Sequence, residues 1–289
     1  MNPPTPRSRA PDLSAFLETA YAELARPELI DPDPLAVTRE YVDPGDREVA
    51  GLAAACLALG SAPLIVRAAR EVLAPLGSSP ADALGALGDD DLARLLSGFR
   101  YRFFGGEDLA ALLSAVRNAR ARHGSLEVLF RAGDDPSEPT IIRGADRFAA
   151  ALEDFAGSRW IRVSGKAPWR DNLLPRPSRG SACKRLFLYL RWMVRKDAVD
   201  PGGWTGVSPS RLVVPLDTHM GAACRRLGLV TRRADDLKAA LEATEAFRRL
   251  RPDDPVRYDF ALTRPGIHPC LEADAYFRCF DDPEPRPRP

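Results

Sequence analysis

Apolar residues in this chain return at three- and four-residue intervals almost from end to end. That period suits helices and leaves little of the alternation a sheet needs, so it constrains the fold more than any other feature. Leu109, Leu112, Leu113, Val116 and Ala119 fall on one helix face, with Arg117, Arg120 and Arg122 placed to complement the negative end of its dipole. Leu237, Leu241, Thr244 and Phe247 repeat the pattern behind Asp235 and Asp236, a helix start. The same reading predicts helices near residues 13–26, 46–59, 62–75, 89–97, 143–155, 181–195, 218–227 and 255–263. The β-branched runs Thr140 to Ile142 and Leu212 to Val214 stand alone, so strands contribute little. The expected class is all-α. Loops containing Pro or Gly are expected at 132–140, 163–180 and 198–215, and no repeat of roughly 20 to 50 residues suggests a solenoid.

With 289 residues, 45% of them hydrophobic, the chain can bury one large core or two lobes. Residues 1–12 and 281–289 are rich in Pro and charge and are expected to be tails around a domain at 13–280. No apolar run reaches the roughly 18 to 20 residues that span a bilayer, and the N-terminus lacks the apolar centre of a signal peptide. A soluble cytoplasmic protein is expected. Cys56, Cys183, Cys224, Cys270 and Cys279 are odd in number and scattered, which disfavours a disulfide framework, a thiolate metal site or an iron–sulfur cluster. Reduced thiols, mostly in the core, are expected, with no metal and no cofactor.

The net charge of +1 hides an uneven distribution. Residues 159–233 hold 16 Lys and Arg against four acids, a net of +12, while the other 214 residues hold 25 against 36, a net of −11. Such a segment is either the electrostatic footprint of a polyanion, with nucleic acid the commonest, or an Arg-rich solvated face. The choice of cation says more. Of 41 basic residues only Lys166, Lys184, Lys196 and Lys238 are Lys. Where charge alone matters this chain uses Arg, so a surviving Lys is a candidate for a role that needs an amine able to lose its proton and attack.

Two segments inside the basic region stand out. Pro177 to Leu190 reads as a polar turn containing Gly180 that feeds an intensely apolar helix, with Lys184 in its first turns and backbone amides free to meet a phosphate. Val213 to Leu229 reads as an apolar approach to Asp217, then a helix closed by Gly228. On spacing alone Asp217 is an N-cap.

Together these segments resemble the helix-hairpin-helix DNA glycosylase superfamily, in which a hairpin of small residues leads into a helix bearing a Lys and a later apolar-Asp-Thr-His segment supplies an Asp. Lys184 and Asp217 stand at those positions, and Gly180 and Ala182 stand where the two hairpin glycines do. Leu216-Asp217-Thr218-His219 followed by Arg226-Leu227-Gly228 matches the second motif. The 33-residue spacing from Lys184 to Asp217 exceeds that of the endonuclease III type and is comparable with the archaeal 8-oxoguanine glycosylases. The four-cysteine cluster of endonuclease III is absent, with only Cys270 and Cys279 in that region. Asp46 to Gly51, Gly98 to Phe103, Gly180 to Leu186, Leu190 to Asp197 and Pro255 to Ala261 look like a widespread bacterial family of uncharacterised proteins related to those glycosylases, a likeness covering roughly residues 33–280.

The resemblance implies a single two-lobed helical domain, monomeric and nucleoid-associated. It would act in base excision repair on duplex DNA holding a damaged base, with an oxidised purine such as 8-oxoguanine as the first substrate to test. Lys184 would be the nucleophile at C1′, giving a Schiff base and abasic-site cleavage, and Asp217 would stabilise the developing oxocarbenium charge. An ordinary amine is mostly protonated at neutral pH, so Lys184 has to be desolvated, crowded by cations such as Arg185, or deprotonated by a partner. Arg179, Gly180, Ser181, Ala182, Arg185, His219, Arg225 and Arg226 are candidate DNA contacts. The alternatives are a helix-local hydrogen bond for His219 and dipole complementation for Arg225 and Arg226. Trp169 and Trp204 either stack on an everted base or cover a core. Asp46 and Glu48 read only as first-turn helix acids. Two rival functions use the same residues: a non-catalytic DNA-binding protein, and an enzyme acting on RNA or on a natural modified base.

Overall fold

Side-chain caps set where the helices begin. Asp12, Asp43, Ser125, Asp217 and Asp236 each accept a hydrogen bond from a backbone amide two or three residues on, satisfying donors that the first turn leaves free. The computed structural model describes residues 12–160, 168–169 and 172–281. Among them are fourteen α-helices: α1 (Leu13–Leu24), α2 (Leu35–Arg39), α3 (Pro44–Cys56), α4 (Ala62–Leu73), α5 (Pro80–Ala86), α6 (Asp89–Leu95), α7 (Gly106–His123), α8 (Leu126–Gly133), α9 (Ile142–Phe155), α10 (Lys184–Val194), α11 (Thr218–Arg226), α12 (Leu237–Leu250), α13 (Asp259–Ile267) and α14 (Ala273–Asp281). The described sheet is a two-stranded antiparallel hairpin, β1 (Arg100–Tyr101) and β2 (Phe104–Gly105). The all-α expectation holds at that level.

The long helices follow the predicted period, while α2, α5, α8 and α14 are additions. They run to only five to nine residues, so each shows the period for little more than one or two turns. Helix α13 starts at Asp259 rather than near 255. The runs Thr140 to Ile142 and Leu212 to Val214 form no strands, yet the fold brings them together, because the Ile141 amide donates to the Arg211 carbonyl at 3.0 Å. Of the expected tails, Asp12 caps α1 and Asp281 ends α14; residues 1–11 and 282–289 lie outside the described residues. Cys56, Cys183 and Cys224 are free and buried, and Cys270 is free and exposed. No helix among the described residues is long and apolar enough to cross a membrane.

One apolar core runs from Leu17 to Phe277. Helix α10, buried from Leu186 to Val194, packs on α3, while α1 and α11 pack on α13. Ion pairs tie these elements together around two enclosed guanidiniums. Arg191 binds Asp200 at 2.8 Å and also Asp259 of α13, and Arg195 binds Asp200 as well as Asp197 and Asp254, both at 2.9 Å. Burying charges is tolerable only when they are matched in this way. The result brings the start of α10, the start of α11 and the inner face of α13 to one place.

Candidate active site

The backbone turns twice into the left-handed region before α10. Gly180 has φ 80°, with nothing within 4 Å of where a Cβ would stand, so it is the conformation rather than space that favours glycine. Cys183 adopts φ 51°, a conformation costly for a residue with a Cβ, and offers no side-chain cap to the helix. Lys184 is therefore the first residue of α10, three residues later than the sequence suggested, at a helix N-terminus with no side-chain cap among the described residues. Asp217 is the N-cap of α11, and its two oxygens divide the work: Oδ1 accepts from the Met220 amide at 2.9 Å, and Oδ2 lies 3.3 Å from Lys184 Nζ. The helix cap and the pair with Lys184 thus share one carboxylate. The pair is only part-buried, with 29% of the Lys184 side chain and 18% of the Asp217 side chain exposed.

Lys184 and Asp217 line a cleft of about 300 Å³. Its other walls are the segment Gly60 to Pro63, Pro215, Asp33 and the inner face of α13 from Asp259 to Ile267. The floor is charged. Arg264, 1% exposed, donates to Asp33 at 2.5 Å and lies 4.2 Å over the Phe260 ring. Burial pushes the Asp259 carboxyl up to about 6; Arg191 and Lys184 oppose that rise, and Asp217 and Asp200 add to it.

The remaining expected site residues are distributed as follows. Gly180 and Ser181 are exposed and Ala182 is half-buried on the turn before Lys184. His219 is exposed at the cleft, its ring so close to Gly266 that a Cβ there would stand 2.5 Å from Nδ1. Arg179 meets Glu153 at 3.4 Å, Arg225 meets Asp235 at 2.8 Å, and Arg226 meets Asp274 at 3.0 Å beside the Phe277 ring. Arg185 is a correction. Its guanidinium turns inward, donating to the Cys56 carbonyl at 2.9 Å over the Phe104 ring, so it is an internal strut rather than a DNA contact.

The two tryptophans are corrected as well. Trp169 is 1% exposed and Trp204 is 4% exposed, so neither ring is presented to a base. Trp204 crosses the core among Phe130, Phe148 and Tyr189, and its indole N–H donates to Glu48 at 2.9 Å. Glu48, read from sequence as a plain first-turn acid, is buried and also accepts from Arg120 and the amides of Leu126 and Glu127. It joins α3 to α7, α8 and the 204 loop. Asp46 reaches out too, accepting from the Ala81 amide at 2.8 Å.

Among the described residues, most arginines of the basic segment are paired. Arg159, Arg176, Arg179, Arg211, Arg225, Arg226 and Arg232 pair with Asp90, Asp146, Glu153, Asp134, Asp235, Asp274 and Asp236, all of them acids from outside the segment. The excess charge of 159–233 is largely answered by the acidic remainder of the chain. Arg162, Lys166 and Arg170 lie outside the described residues.

An exposed basic and aromatic element does occur where the sequence reading placed none. In the β1–β2 hairpin, Phe103 is 62% exposed and Arg102 holds φ 52°. Tyr101 Oη donates to the Leu59 carbonyl at 2.7 Å, and the Arg102 guanidinium packs against Gly60, which lines the cleft. The alternation Phe99, Tyr101 inward and Arg100, Arg102 outward was a strand signal of period two, and Phe103 breaks it outward at the turn.

The chain belongs to the family described as a protein of unknown function (DUF2400), which it matches over residues 33–268. Neither a curated protein nor a solved structure matches it.

Proposed function

We propose that the protein is a DNA N-glycosylase with abasic-site lyase activity, built on a two-lobed helix-hairpin-helix scaffold in which residues 180–183 are the hairpin and α10 the second helix. The observation that carries this reading is the 3.3 Å contact between Lys184 Nζ and Asp217 Oδ2 at the wall of the cleft. Asp217 takes a proton from Lys184, and the freed amine attacks C1′ of an extruded nucleoside. The C1′–N bond breaks and the base leaves with its electron pair, taking the proton held by Asp217, which becomes a carboxylate again. O4′ departs from C1′ with one of the two protons left on the amine, giving the iminium, and loss of a 2′ proton expels the 3′ phosphate. The Asp217 carboxylate, held by the Met220 amide, offsets the positive charge that builds at C1′.

The surface that supports DNA binding in this reading is not the basic segment as a whole. It is the uncapped start of α10 with Gly180, Ser181 and Ala182 for phosphate, and the Arg100–Phe103 hairpin beside the cleft, whose exposed ring suits the gap left by an extruded base. The protein would act as a monomer at the nucleoid. A non-catalytic binder has no use for an amine where Arg would serve, and that separates the two accounts experimentally. Wild type should nick a duplex with one abasic site. Lys184→Arg and Lys184→Gln should bind that duplex and leave it intact, whereas nicking by either variant would overturn the assignment of Lys184. Phe103→Ala should weaken duplex binding by about 1–3 kcal/mol, the worth of one base–aromatic stack.

A further inference from the structure

The cleft floor holds hydrogen-bonding capacity that nothing in the proposed chemistry uses. Arg264 is enclosed, and only its Nη2 is engaged, by Asp33; Nε and Nη1 have no partner among the described residues. Asp259, 4% exposed, gives Oδ2 to Arg191 and leaves Oδ1 without one. Both residues line the cleft with Lys184 and Asp217. A buried guanidinium or carboxylate left incompletely bonded is costly, so such groups persist where a bound molecule completes them. The unmet demand is lopsided: Nε and Nη1 together carry three N–H donors, against one acceptor oxygen. A cleft of about 300 Å³ lies at the lower end of the range for ligand sites, which fits one flat ring system rather than a larger ligand.

We propose that Arg264 and Asp259 read the extruded base, and that the base they select carries more carbonyl than amino groups: an oxidised or deaminated base with a C=O for Arg264 beside an N–H for Asp259. This rests on the glycosylase reading of Lys184 and Asp217. Oxidation and deamination each add a carbonyl acceptor, which the three free donors can meet. An alkylated purine bearing positive charge instead brings a cation to Arg264.

The test uses the full chain on duplexes containing 8-oxoguanine, hypoxanthine, uracil, 3-methyladenine or a preformed abasic site. Wild type should release carbonyl-rich bases in preference to the alkylated one. Arg264→Met and Asp259→Asn should each lower that release roughly ten- to hundredfold, the worth of one hydrogen bond to a charged group. Nicking of the abasic duplex, which presents no base to read, should stay near wild type. Because Arg264→Met also breaks the pair with Asp33, Arg264→Lys is the companion variant. It keeps the charge and removes the fork, so it should keep abasic nicking and lose preference among bases. Abasic nicking with no preference for the carbonyl-rich bases, or variants that retain that preference, would overturn the inference while leaving Lys184 and Asp217 standing. Failure of wild type to nick the abasic duplex would overturn the underlying reading and the inference with it.

Discussion

Helix α10 begins at Lys184 and closes through Arg191 and Arg195, and its two ends handle charge in different ways. At the far end both guanidiniums are enclosed, and Asp197, Asp200, Asp254 and Asp259 surround them. At the near end Lys184 has one oxygen of one carboxylate and keeps 29% of its side chain exposed over a cleft. The enclosed network welds α10 to α13 and to the loop before Pro201, which gives the helix a fixed position. The open pair adds little to stability, since a part-exposed ion pair is worth about 1 kcal/mol or less. This open pair stands beside the cleft, which is why the proposed function is placed there. Asp259 belongs to both regions, with one oxygen in the network and the other unpaired at the cleft.

The sharpest way to break this contrast is Asp200→Asn. It removes the one carboxylate that both guanidiniums share and leaves the enclosed Arg191 with Asp259 alone, and urea unfolding should show a loss of about 3–5 kcal/mol. A loss below about 1 kcal/mol would mean that the network is not what holds α10. Asp217→Asn should do the reverse. Asn caps a helix nearly as well as Asp, so stability should hardly move, while base release should fall roughly 10²- to 10³-fold as charge stabilisation at C1′ is lost.

The sequence made one half of this contrast readable and hid the other. Asp217 and the turn at Gly180 are local signals, and the apolar run after Lys184 announces a buried helix, so the start of α10 could be located to within three residues. Arg264 and Asp33 are 231 residues apart and Arg211 and Asp134 are 77 apart, and no local pattern joins them. For the same reason the +12 segment looked like a binding face until the fold supplied its acids. Trp169 and Trp204 lie in irregular stretches, where a loop ring reads as available. Trp169 is buried all the same, and packing against Phe130 and Tyr189 places Trp204 inside. The β1–β2 hairpin escaped because each strand has only two residues, below the length at which alternation is convincing.

The doubly employed Asp259 gives a smaller and more specific test. Its carboxyl is raised to about 6 from an ordinary 3.8, chiefly by burial, so between those values the folded protein holds a proton that the unfolded chain has released. Stability from this group should therefore fall as pH rises through that window and level off above about 6. In thermal melts across the window wild type should lose stability relative to Asp259→Asn as pH rises, whereas a constant difference would mean that the group titrates normally. The smallest effect expected is that of Arg226→Gln. It removes a pair whose partner Asp274 is 91% exposed, so neither folding nor duplex binding should change by more than about 1 kcal/mol.

The most direct test of the central claim is to trap the reaction and find the attached residue. The full chain is incubated with an abasic-site duplex and borohydride, the covalent complex is digested, and the modified peptide is sequenced by mass spectrometry. A reduced adduct is expected on Lys184 and none in Lys184→Gln. An adduct on another amine, or no adduct under conditions where the duplex is bound, would contradict it.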